Sequence, residues 1–493
     1  MEYVSSRIYS SLAQNAKIYY MPKLLRGFRD IFGPQAAALT ALENAARKVF
    51  KLYGVQELRI PTVELKELFV KSTGTTTDIV QKEMYAFETS HHTVALRPEG
   101  TPGVVRAYIE NNFSQAEPVQ QFFYIGNMFR AERPQTGRYR EFEQIGAELI
   151  GNSAPAADAQ AILMLKDIMR AFGVNNYKVK INSLGCAKCR PQYREKLFAY
   201  LSQNKQELCE LCKDRLERNP LRVLDCKIDG AKFAANAPKM ELCPECEAHF
   251  DMLKKLLAGK IEYEVDPCLV RGLDYYTRTV FEFQAGNQSQ NAIAAGGRYD
   301  TLIQSMGGAP MPAVGWALGA ERTCLALGEY QPEKQTKVFV VCLEKPCIEY
   351  SFNLMQSLRD AGIIAGIITE GGLFDRNVKT QMRQADRTKA DFAVIIGGNE
   401  MAANGAALKD LTTGKQAFFN FDDLKILLKE EIRIIEVFLN IRYSVNMLRN
   451  TKTRNIIRKT IKEYLKLGCP PCKFQQRINE ELEKNNVHIE YRY

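Results

Sequence analysis

Apolar and polar residues alternate along much of residues 21–322, and this pattern predicts long antiparallel strands separated by helical stretches. The clearest example is FFYIGNMFRAERPQTGRYREFEQIGAELIG, residues 122–151, where two predicted strands flank the turn sequence PQTGR. Side chains two positions apart share one face of a strand, so one face of the second strand carries Phe142, Gln144, Gly146 and Glu148. The sequence LVRGLDYYTRTVFEFQ, residues 269–284, predicts a second strand pair whose one face lines a pocket.

A different order begins near residue 337, where predicted strands such as KVFVVCL and DFAVIIGG alternate with helical stretches. This order predicts a smaller α/β domain with a mostly parallel sheet, a hairpin around TTGK and a closing helix. The predicted division of the chain is an N-terminal extension (1–20), a core (21–185 and 259–328), a cysteine-rich helical insertion (186–258), a linker (329–336), the α/β domain (337–430) and a basic tail without an assigned fold (431–493).

Composition fits a globular protein of at least two domains, since 493 residues with 46% apolar and 25% charged residues exceed one ordinary core. The net charge of +10 favours a polyanionic partner, although ordinary surface charge predicts the same value. No apolar run reaches the roughly 20 residues of a membrane span, so no membrane association is expected. The first residues lack an apolar signal region, which favours the cytoplasm; their Ser-rich, acid-poor composition makes an organellar leader the alternative.

Four arginines lie beside glycines and acidic residues in predicted strands: Arg130, Arg271, Arg298 and Arg322. A guanidinium group presents forked donors that match phosphate oxygens, so this set suits a triphosphate ligand. Each arginine taken singly is more often a surface ion pair. The sequence has no GxxxxGK[ST] motif, which argues against a P-loop nucleotide site.

The sequence LRPEGT, residues 96–101, predicts a turn between a strand and a helix. Thr101 either caps a helix that begins at Pro102 or contacts a ligand. Glu99 has no such structural explanation, and its carboxylate is suited to an ammonium or imidazolium group.

The motifs LLRGFRDIFGPQ, ELFVKSTGTTTDIVQKEMYAF, LRPEGTPGVVRAYIEN, FRAERPQTGRYREFEQIGAE, LVRGLDYYTRTVFEF, AAGGRYDTLI and VGWALGAER occur in this order over about residues 21–430. The chain in this respect resembles the bacterial histidyl-tRNA synthetases, a class II aminoacyl-tRNA synthetase family, most specifically in RGLDYY and AGGRYD. The resemblance implies an α+β catalytic domain on an antiparallel sheet flanked by helices, followed by an anticodon-binding α/β domain. It also implies a homodimer that uses L-histidine, ATP with Mg²⁺ and tRNA(His).

Residue by residue, the resemblance implies that histidine contacts Glu99, Gly100, Thr101, Arg130, Gln144, Glu148, Arg271, Tyr275 and Tyr276. Arg130 and Arg271 resemble the catalytic arginines at the α-phosphate. The implied ATP-binding residues are Arg130, Glu132, Arg138 and Arg322. Glu99 and a tyrosine hydroxyl are expected to bind the ring nitrogens.

The resemblance also implies contacts beyond the small substrates. Gln135 in the PQTGR loop is expected at the acceptor end of tRNA, and Pro61 at a dimer interface. The basic residues of one predicted helix, Lys379, Arg383 and Arg387, are expected along the anticodon stem, although a solvated helix face has the same spacing. The sequence departs from the family at Ala131, where His or Tyr is common, and from SLGC onwards, without loss of a named contact.

Seven of the 13 cysteines lie between residues 186 and 246. Six of them form CxxC pairs and are candidate zinc thiolates: Cys186, Cys189, Cys209, Cys212, Cys243 and Cys246. The preferred interpretation is reduced thiols in an insertion, with no metal assigned and structural zinc as the alternative.

Three other functions compete with the synthetase activity that the resemblance implies. A non-catalytic paralogue that regulates histidine biosynthesis is expected to lack the arginines and the second domain, and this chain has both. A tRNA-binding or stress-sensing module would not need the full set of ATP residues. A class II synthetase for proline or threonine is disfavoured by RGLDYY.

Overall fold

The structure, a computed structural model, describes residues 23–485 except 75–76, 227, 287–291, 333–334, 367–376, 422–423, 426–427 and 429–473. These residues form two compact units that divide between Pro332 and Glu333. Within the described ranges, every helix is too short or too polar to cross a membrane. Residues 1–20 and most of the basic tail, which had no predicted fold, lie outside the described residues.

The first unit is built on an eight-stranded sheet with the order β1-β5-β6-β11-β10-β9-β7-β8, beside a three-stranded antiparallel sheet with the order β2-β4-β3. The strands are β1 (Gln56–Glu57), β2 (Val63–Leu65), β3 (Ala86–Glu88), β4 (Thr93–Leu96), β5 (Gln120–Phe129), β6 (Glu141–Ile150), β7 (Lys178–Ser183), β8 (Glu264–Val265), β9 (Thr277–Gln284), β10 (Ala292–Arg298) and β11 (Ala313–Gly319). Pairing in the large sheet is antiparallel except at the short edge strands β1 and β8. The predicted antiparallel catalytic fold is thus confirmed.

Strands β5 and β6 are the hairpin that the alternating pattern predicts, paired from Gln120 opposite Ile150 to Phe129 opposite Glu141. Both faces of β6 are used. Ile145, Ala147 and Leu149 enter the main hydrophobic core, whereas the alternate positions form the polar face described below.

The helices of the first unit are Pro34–Tyr53, Lys66–Thr73, Thr101–Glu110, Phe113–Ala116, Pro155–Phe172, Arg190–Gln203, Glu210–Arg218, Leu221–Leu224, Gly230–Ala234, Pro244–Leu257, Leu302–Ser305 and Ala320–Leu327, with a π-helical turn at Ile79–Glu83 and a 3₁₀ turn at Lys205–Glu207. Proline, which suits the first turn of a helix, begins several of them. The helix Pro244–Leu257 lies in the cysteine-rich segment of the sequence, yet its Phe250, Leu253 and Leu257 belong to the main core.

The second unit has a five-stranded sheet with the order β13-β12-β14-β15-β16. Its strands are β12 (Lys337–Cys342), β13 (Ile364–Gly366), β14 (Phe392–Ile396), β15 (Gly405–Asp410) and β16 (Gln416–Asn420). Its helices are Ile348–Asp360, Val378–Arg387, Gly398–Ala402 and Phe474–Lys484, with a 3₁₀ turn at Lys345–Cys347. The expectation of a mostly parallel sheet was wrong, because β15 and β16, the hairpin at TTGK, add two antiparallel pairings to two parallel ones.

Candidate active site

Two buried carboxylates define a pocket on the polar face of the large sheet. Glu99 lies in the turn between β4 and the helix Thr101–Glu110. Its Oε1 accepts a hydrogen bond from Thr73 Oγ1 at 2.9 Å, and its Oε2 accepts one from the Tyr275 hydroxyl at 3.0 Å. Burial raises the pKa of Glu99, while the positive charge of Arg130 and the two hydroxyl donors oppose that rise.

Glu148, on β6, is fully buried and also lies between two hydroxyl groups. Thr101 Oγ1 donates to its Oε1 at 2.6 Å, and the Tyr299 hydroxyl donates to its Oε2 at 2.5 Å. Space for the carboxylate comes from Gly315, which pairs with Glu148 across the sheet and whose Cβ, if present, would collide with Oε2. Burial raises the pKa of Glu148 to about 8 against the effect of its donors.

The pocket contains polar groups without partners. Among the residues that the structure describes, the Tyr124 hydroxyl and Gln144 Oε1 are buried and have no hydrogen-bond partner. The Tyr124 ring packs on Gly100 and Gly146, where any Cβ would overlap it. Buried polar atoms are normally satisfied, so these two groups indicate a place for a polar ligand.

Tyrosines close the pocket around the two carboxylates. The Tyr275 ring centroid lies 4.8 Å from that of Tyr276 and 5.7 Å from that of Tyr299, and all three rings are buried. Aromatic rings beside buried carboxylates match a flat, polar aromatic group such as an imidazole.

Arg130 connects this pocket to a second group of charges. Its Nε donates to the Pro98 carbonyl at 2.9 Å, next to Glu99, and its guanidinium lies 5.3 Å from the centroid of the Phe142 ring. Glu132, two residues further along, accepts from Arg138 at 3.0 Å.

Arg322, at the start of the helix Ala320–Leu327, joins the same group of charges. Its Nε donates to the Gly137 carbonyl at 3.1 Å and its Nη1 to the Ala292 carbonyl at 2.8 Å. Burial lowers the pKa of Arg322, and the nearby charges of Arg138 and Arg130 lower it further. Several cations held close together are suited to a polyphosphate anion.

Arg271 lies in the RGLDYY segment and forms an ion pair with Glu282 of β9. Within the described part of the chain, its buried Nε has no hydrogen-bond partner. Burial alone would lower the pKa of Arg271. The negative charge of Glu282, with a smaller contribution from Tyr276, outweighs burial and raises that pKa. Arg271 is therefore a second arginine close to Tyr275 and Tyr276.

Arg298 does not belong to the site, and its inclusion among the triphosphate-binding arginines was wrong. Its side chain is fully buried and pairs with the fully buried Asp158 of the helix Pro155–Phe172, with Nε at 2.9 Å from Oδ1. Asp158 also accepts from Thr279 at 2.6 Å and contacts His249 Nε2 at 2.7 Å. Burial alone would raise the pKa of Asp158, but the bonds from His249 and Arg298 lower it overall, so this group holds structure.

Thr101 does not cap its helix, and Pro61 lies at an exposed cleft. The helix begins at Thr101 with Gly100 as its N-cap, and no side-chain cap is formed, so the Thr101 hydroxyl serves Glu148 instead. Pro61 is exposed and lines a cleft of about 580 Å³ with Leu65, Arg106 and others.

Four residues of the site were not predicted from the sequence: Thr73, Tyr124, Tyr299 and Glu282. Tyr299 directly follows the AGGR sequence and Thr73 lies in KSTGTTT, so both lie in motifs that were singled out. Tyr124 and Glu282 occupy strand positions that alternation alone does not separate from core residues.

The residues expected to contact tRNA, Gln135 and the basic residues of one helix, are exposed. Gln135 and Arg138 close the PQTGR turn through reciprocal backbone bonds of 3.1 and 2.8 Å. In the second unit, Gln381 fixes the helix Val378–Arg387 to β12 through two bonds to Cys342. Lys379, Arg383 and Arg387 lie on its exposed side.

An antiparallel sheet that carries a carboxylate-lined pocket beside converging arginines defines a class II aminoacyl-tRNA synthetase. A family model described as histidyl-tRNA synthetase matches residues 27–323, and one described as an anticodon binding domain matches residues 337–431. The chain therefore belongs to the histidyl-tRNA synthetase family, and its activity is that of a ligase that aminoacylates tRNA(His).

Individual relatives agree with the family. The chain is 63% identical over 405 residues to a histidine–tRNA ligase of Elusimicrobium minutum (strain Pei191), covering 82% of this chain and 98% of the relative. It is 45% identical over 406 residues to that of Aquifex aeolicus (strain VF5), covering 81% and 99%. The crystal structure of apo S. aureus histidyl-tRNA synthetase matches with a TM-score of 0.68 at 33% identity, covering 83% of this chain and 100% of that one.

Proposed function

We propose that the pocket between Glu99 and Glu148 binds L-histidine and that the arginine group beside it binds ATP. This places catalysis in residues 21–185 and 259–328, with residues 337–430 serving the anticodon. The observation that carries the proposal is the presence of two buried carboxylates, each held by two hydroxyl donors, next to Arg130.

The orientation of histidine follows from Arg130. The amino acid carboxylate must approach the α-phosphate, so the end that bears it lies near Arg130 and hence near Glu99 and Gln144. We therefore assign the α-ammonium group to Glu99, Thr101 and Gln144, and the imidazole ring to Glu148, Tyr276 and the Tyr299 hydroxyl. This reverses the expectation from sequence that Glu99 binds the ring.

Selectivity for histidine rests on the residues assigned to the imidazole ring, which are Glu148, Tyr276 and Tyr299. An imidazole N–H donates to Glu148 in its ionised form, and a hydroxyl partner satisfies the other ring nitrogen. Amino acids without two ring nitrogens leave buried groups unsatisfied, which rejects them by large factors.

The nucleotide substrate is ATP with Mg²⁺, an ion held chiefly by phosphate oxygens. We assign Arg322 to the γ-phosphate and the Glu132–Arg138 pair to the rest of the nucleotide. Gly137, which accepts from Arg322, links the loop of residues 134–138 to the same site.

Activation needs placement and charge stabilisation rather than a base, because the histidine carboxylate is already a nucleophile at neutral pH. It attacks the α-phosphorus in line, and pyrophosphate leaves. Arg130 and Arg271 stabilise the charge that develops on the α-phosphate; donors fixed in such a site are worth roughly 3 kcal/mol each. A ribose hydroxyl at the 3′ end of tRNA(His) then attacks the carbonyl of histidyl-adenylate and releases AMP.

Contacts with tRNA and with a second subunit are part of the proposal. Gln135 contacts the acceptor end, and the exposed row of Lys379, Arg383 and Arg387 follows phosphates of the anticodon stem. Exposed Val63 and Leu65 near the Pro61 cleft support a homodimer through this surface, since exposed apolar patches mark interfaces. The bacterial relatives support action in the cytoplasm.

The test is ATP–pyrophosphate exchange with each of the twenty amino acids. We expect exchange with histidine alone, and histidyl-tRNA once tRNA(His) is added. Equal exchange with other amino acids, or histidine binding without any exchange, would contradict the proposed function; the second outcome is that of a regulatory subunit.

A further inference from the structure

The seven cysteines between residues 186 and 246 form two groups, and cysteines that are neighbours in sequence do not all belong to the same group. The first and third CxxC pairs meet as a four-cysteine site, Cys186, Cys189, Cys243 and Cys246. The second pair meets Cys226 and an acid as a three-cysteine site, Cys209, Cys212, Cys226 and Asp229. In each group the ligand atoms all lie within 4.8 Å of one another, and all seven cysteines are free thiols.

We propose that the four-cysteine site is a structural zinc site. Zinc binds four thiolates in a tetrahedron with Zn–S bonds of about 2.3 Å, which separates the sulfur atoms by about 3.8 Å. Cys186 Sγ lies 3.8 Å from both Cys189 Sγ and Cys243 Sγ, the latter 57 positions away in sequence. These two distances therefore equal the edge of a zinc tetrahedron, and the other sulfur atoms lie within 4.8 Å of one another.

The surroundings of this site favour thiolates. Cys189 Sγ accepts a hydrogen bond from the Cys243 backbone N–H at 3.2 Å. Each pair stands at the start of a helix of 14 residues, Arg190–Gln203 and Pro244–Leu257, where the positive end of the helix stabilises negative charge. Neutral thiols need neither this convergence nor these donors.

We propose a second zinc site at the three-cysteine site, and the observations that support it are independent of those for the first. Cys209 Sγ lies 3.9 Å from Cys226 Sγ, and Asp229 is almost fully buried. The Cys209 backbone N–H donates to Asp229 Oδ2 at 2.9 Å, which fixes the carboxylate beside the sulfur atoms. Thiolates and carboxylates are both ligands of zinc, so these four groups complete a four-coordinate set.

Both sites stand where they can hold the RGLDYY segment. Arg190, which follows Cys189, donates to the Tyr276 carbonyl and to the Leu184 carbonyl. Near the three-cysteine site, Arg222 donates to the Arg271 carbonyl at 3.4 Å and Asn219 to Asp274 at 3.0 Å. Zinc would thus brace the segment that the proposed function places at the α-phosphate and the histidine ring.

The first measurement is metal analysis of the full-length chain, purified without a chelator or a metal-affinity column. We expect about two equivalents of zinc per chain. Less than about one tenth of an equivalent would overturn both sites. Iron in place of zinc, seen by visible absorption, would contradict the zinc assignment. The metal content does not depend on which amino acid is activated, so its failure is distinct from failure of the proposed function.

Single substitutions assign the two ions. Cys243→Ser and Cys226→Ser should each lose about half of the zinc, whereas the control Cys324→Ser, which alters a cysteine outside both groups, should keep all of it. In Cys226→Ser, X-ray absorption at the zinc edge should show four sulfur neighbours at about 2.3 Å. Nitrogen or oxygen neighbours there would overturn the four-cysteine site. Absorption on the wild-type chain gives the same check if the variants do not fold, with about seven sulfur neighbours for every two ions.

Discussion

Glu148→Gln removes the charge at the base of the pocket while keeping the size of the side chain. The amide fits the space left by Gly315, and its carbonyl still accepts one of the hydrogen bonds from Thr101 and Tyr299. The other hydroxyl, and the ring N–H of bound histidine, lose their acceptor. A hydrogen bond to a charged group is worth about 1.5–3 kcal/mol, which corresponds to a roughly 10- to 150-fold loss of kcat/KM for histidine.

The pH dependence gives a second readout of the same substitution. Because burial raises the pKa of Glu148 to about 8, the ionised form that accepts from the ring is lost as the pH falls below that value. The kcat/KM of the wild type should therefore rise towards about pH 8, while that of Glu148→Gln should lack this rise. The loss of kcat/KM caused by Glu148→Gln is measured at about pH 8.5, where most of the wild-type carboxylate is charged.

The assay is ATP–pyrophosphate exchange at saturating ATP with histidine varied. The matched control is Glu143→Gln, which makes the same chemical change on the opposite face of β6. The reasoning is refuted if Glu148→Gln keeps kcat/KM within about twofold of the control at that pH.

Arg271→Ala should lose roughly 100-fold or more of the exchange rate while histidine binding by calorimetry persists, and near-normal exchange would contradict its role at the α-phosphate. Asp158→Asn removes the buried carboxylate from Arg298 and leaves it only the partly exposed Asp300 as an acidic partner. The free energy of unfolding should therefore fall by about 3 kcal/mol, and an unchanged denaturant midpoint would contradict the structural role of the pair. Burial, together with Glu43 and Glu321, raises the pKa of Glu143 to about 8, so its contribution to stability is present below the unfolded pKa and is lost as the pH rises through about 8. This loss is about 1.4 kcal/mol per pH unit between pH 6 and about 8, so the melting temperature of Glu143→Gln relative to the wild type should increase by about 4 °C from pH 6 to pH 9. A constant difference would refute this.

The hairpin β5–β6 could be predicted because both strands alternate and a turn sequence separates them. The sheet order could not, since β6 pairs with β11 about 170 positions later and no local pattern specifies that partner. The helix Pro244–Leu257 was grouped with the cysteine-rich segment because charged residues surround it. Its Phe250, Leu253 and Leu257 nevertheless follow helical spacing and enter the main core.

Within the site, the sequence motifs identified Glu99 and Glu148, and the structure adds the hydroxyl groups that hold them. Arginine alone does not distinguish a ligand from a buried ion pair, which is why Arg298 was misplaced. Its partner Asp158 is 140 positions earlier in the chain. The cysteines show the same limit, because CxxC spacing predicts pairs but not which pairs meet.

The orientation of histidine is tested most directly by a crystal structure of this chain soaked with L-histidine. We predict that one ring nitrogen lies within hydrogen-bond distance of Glu148 and that the α-ammonium group contacts Glu99. A ring bound at Glu99, or histidine bound away from both carboxylates, would contradict the assignment.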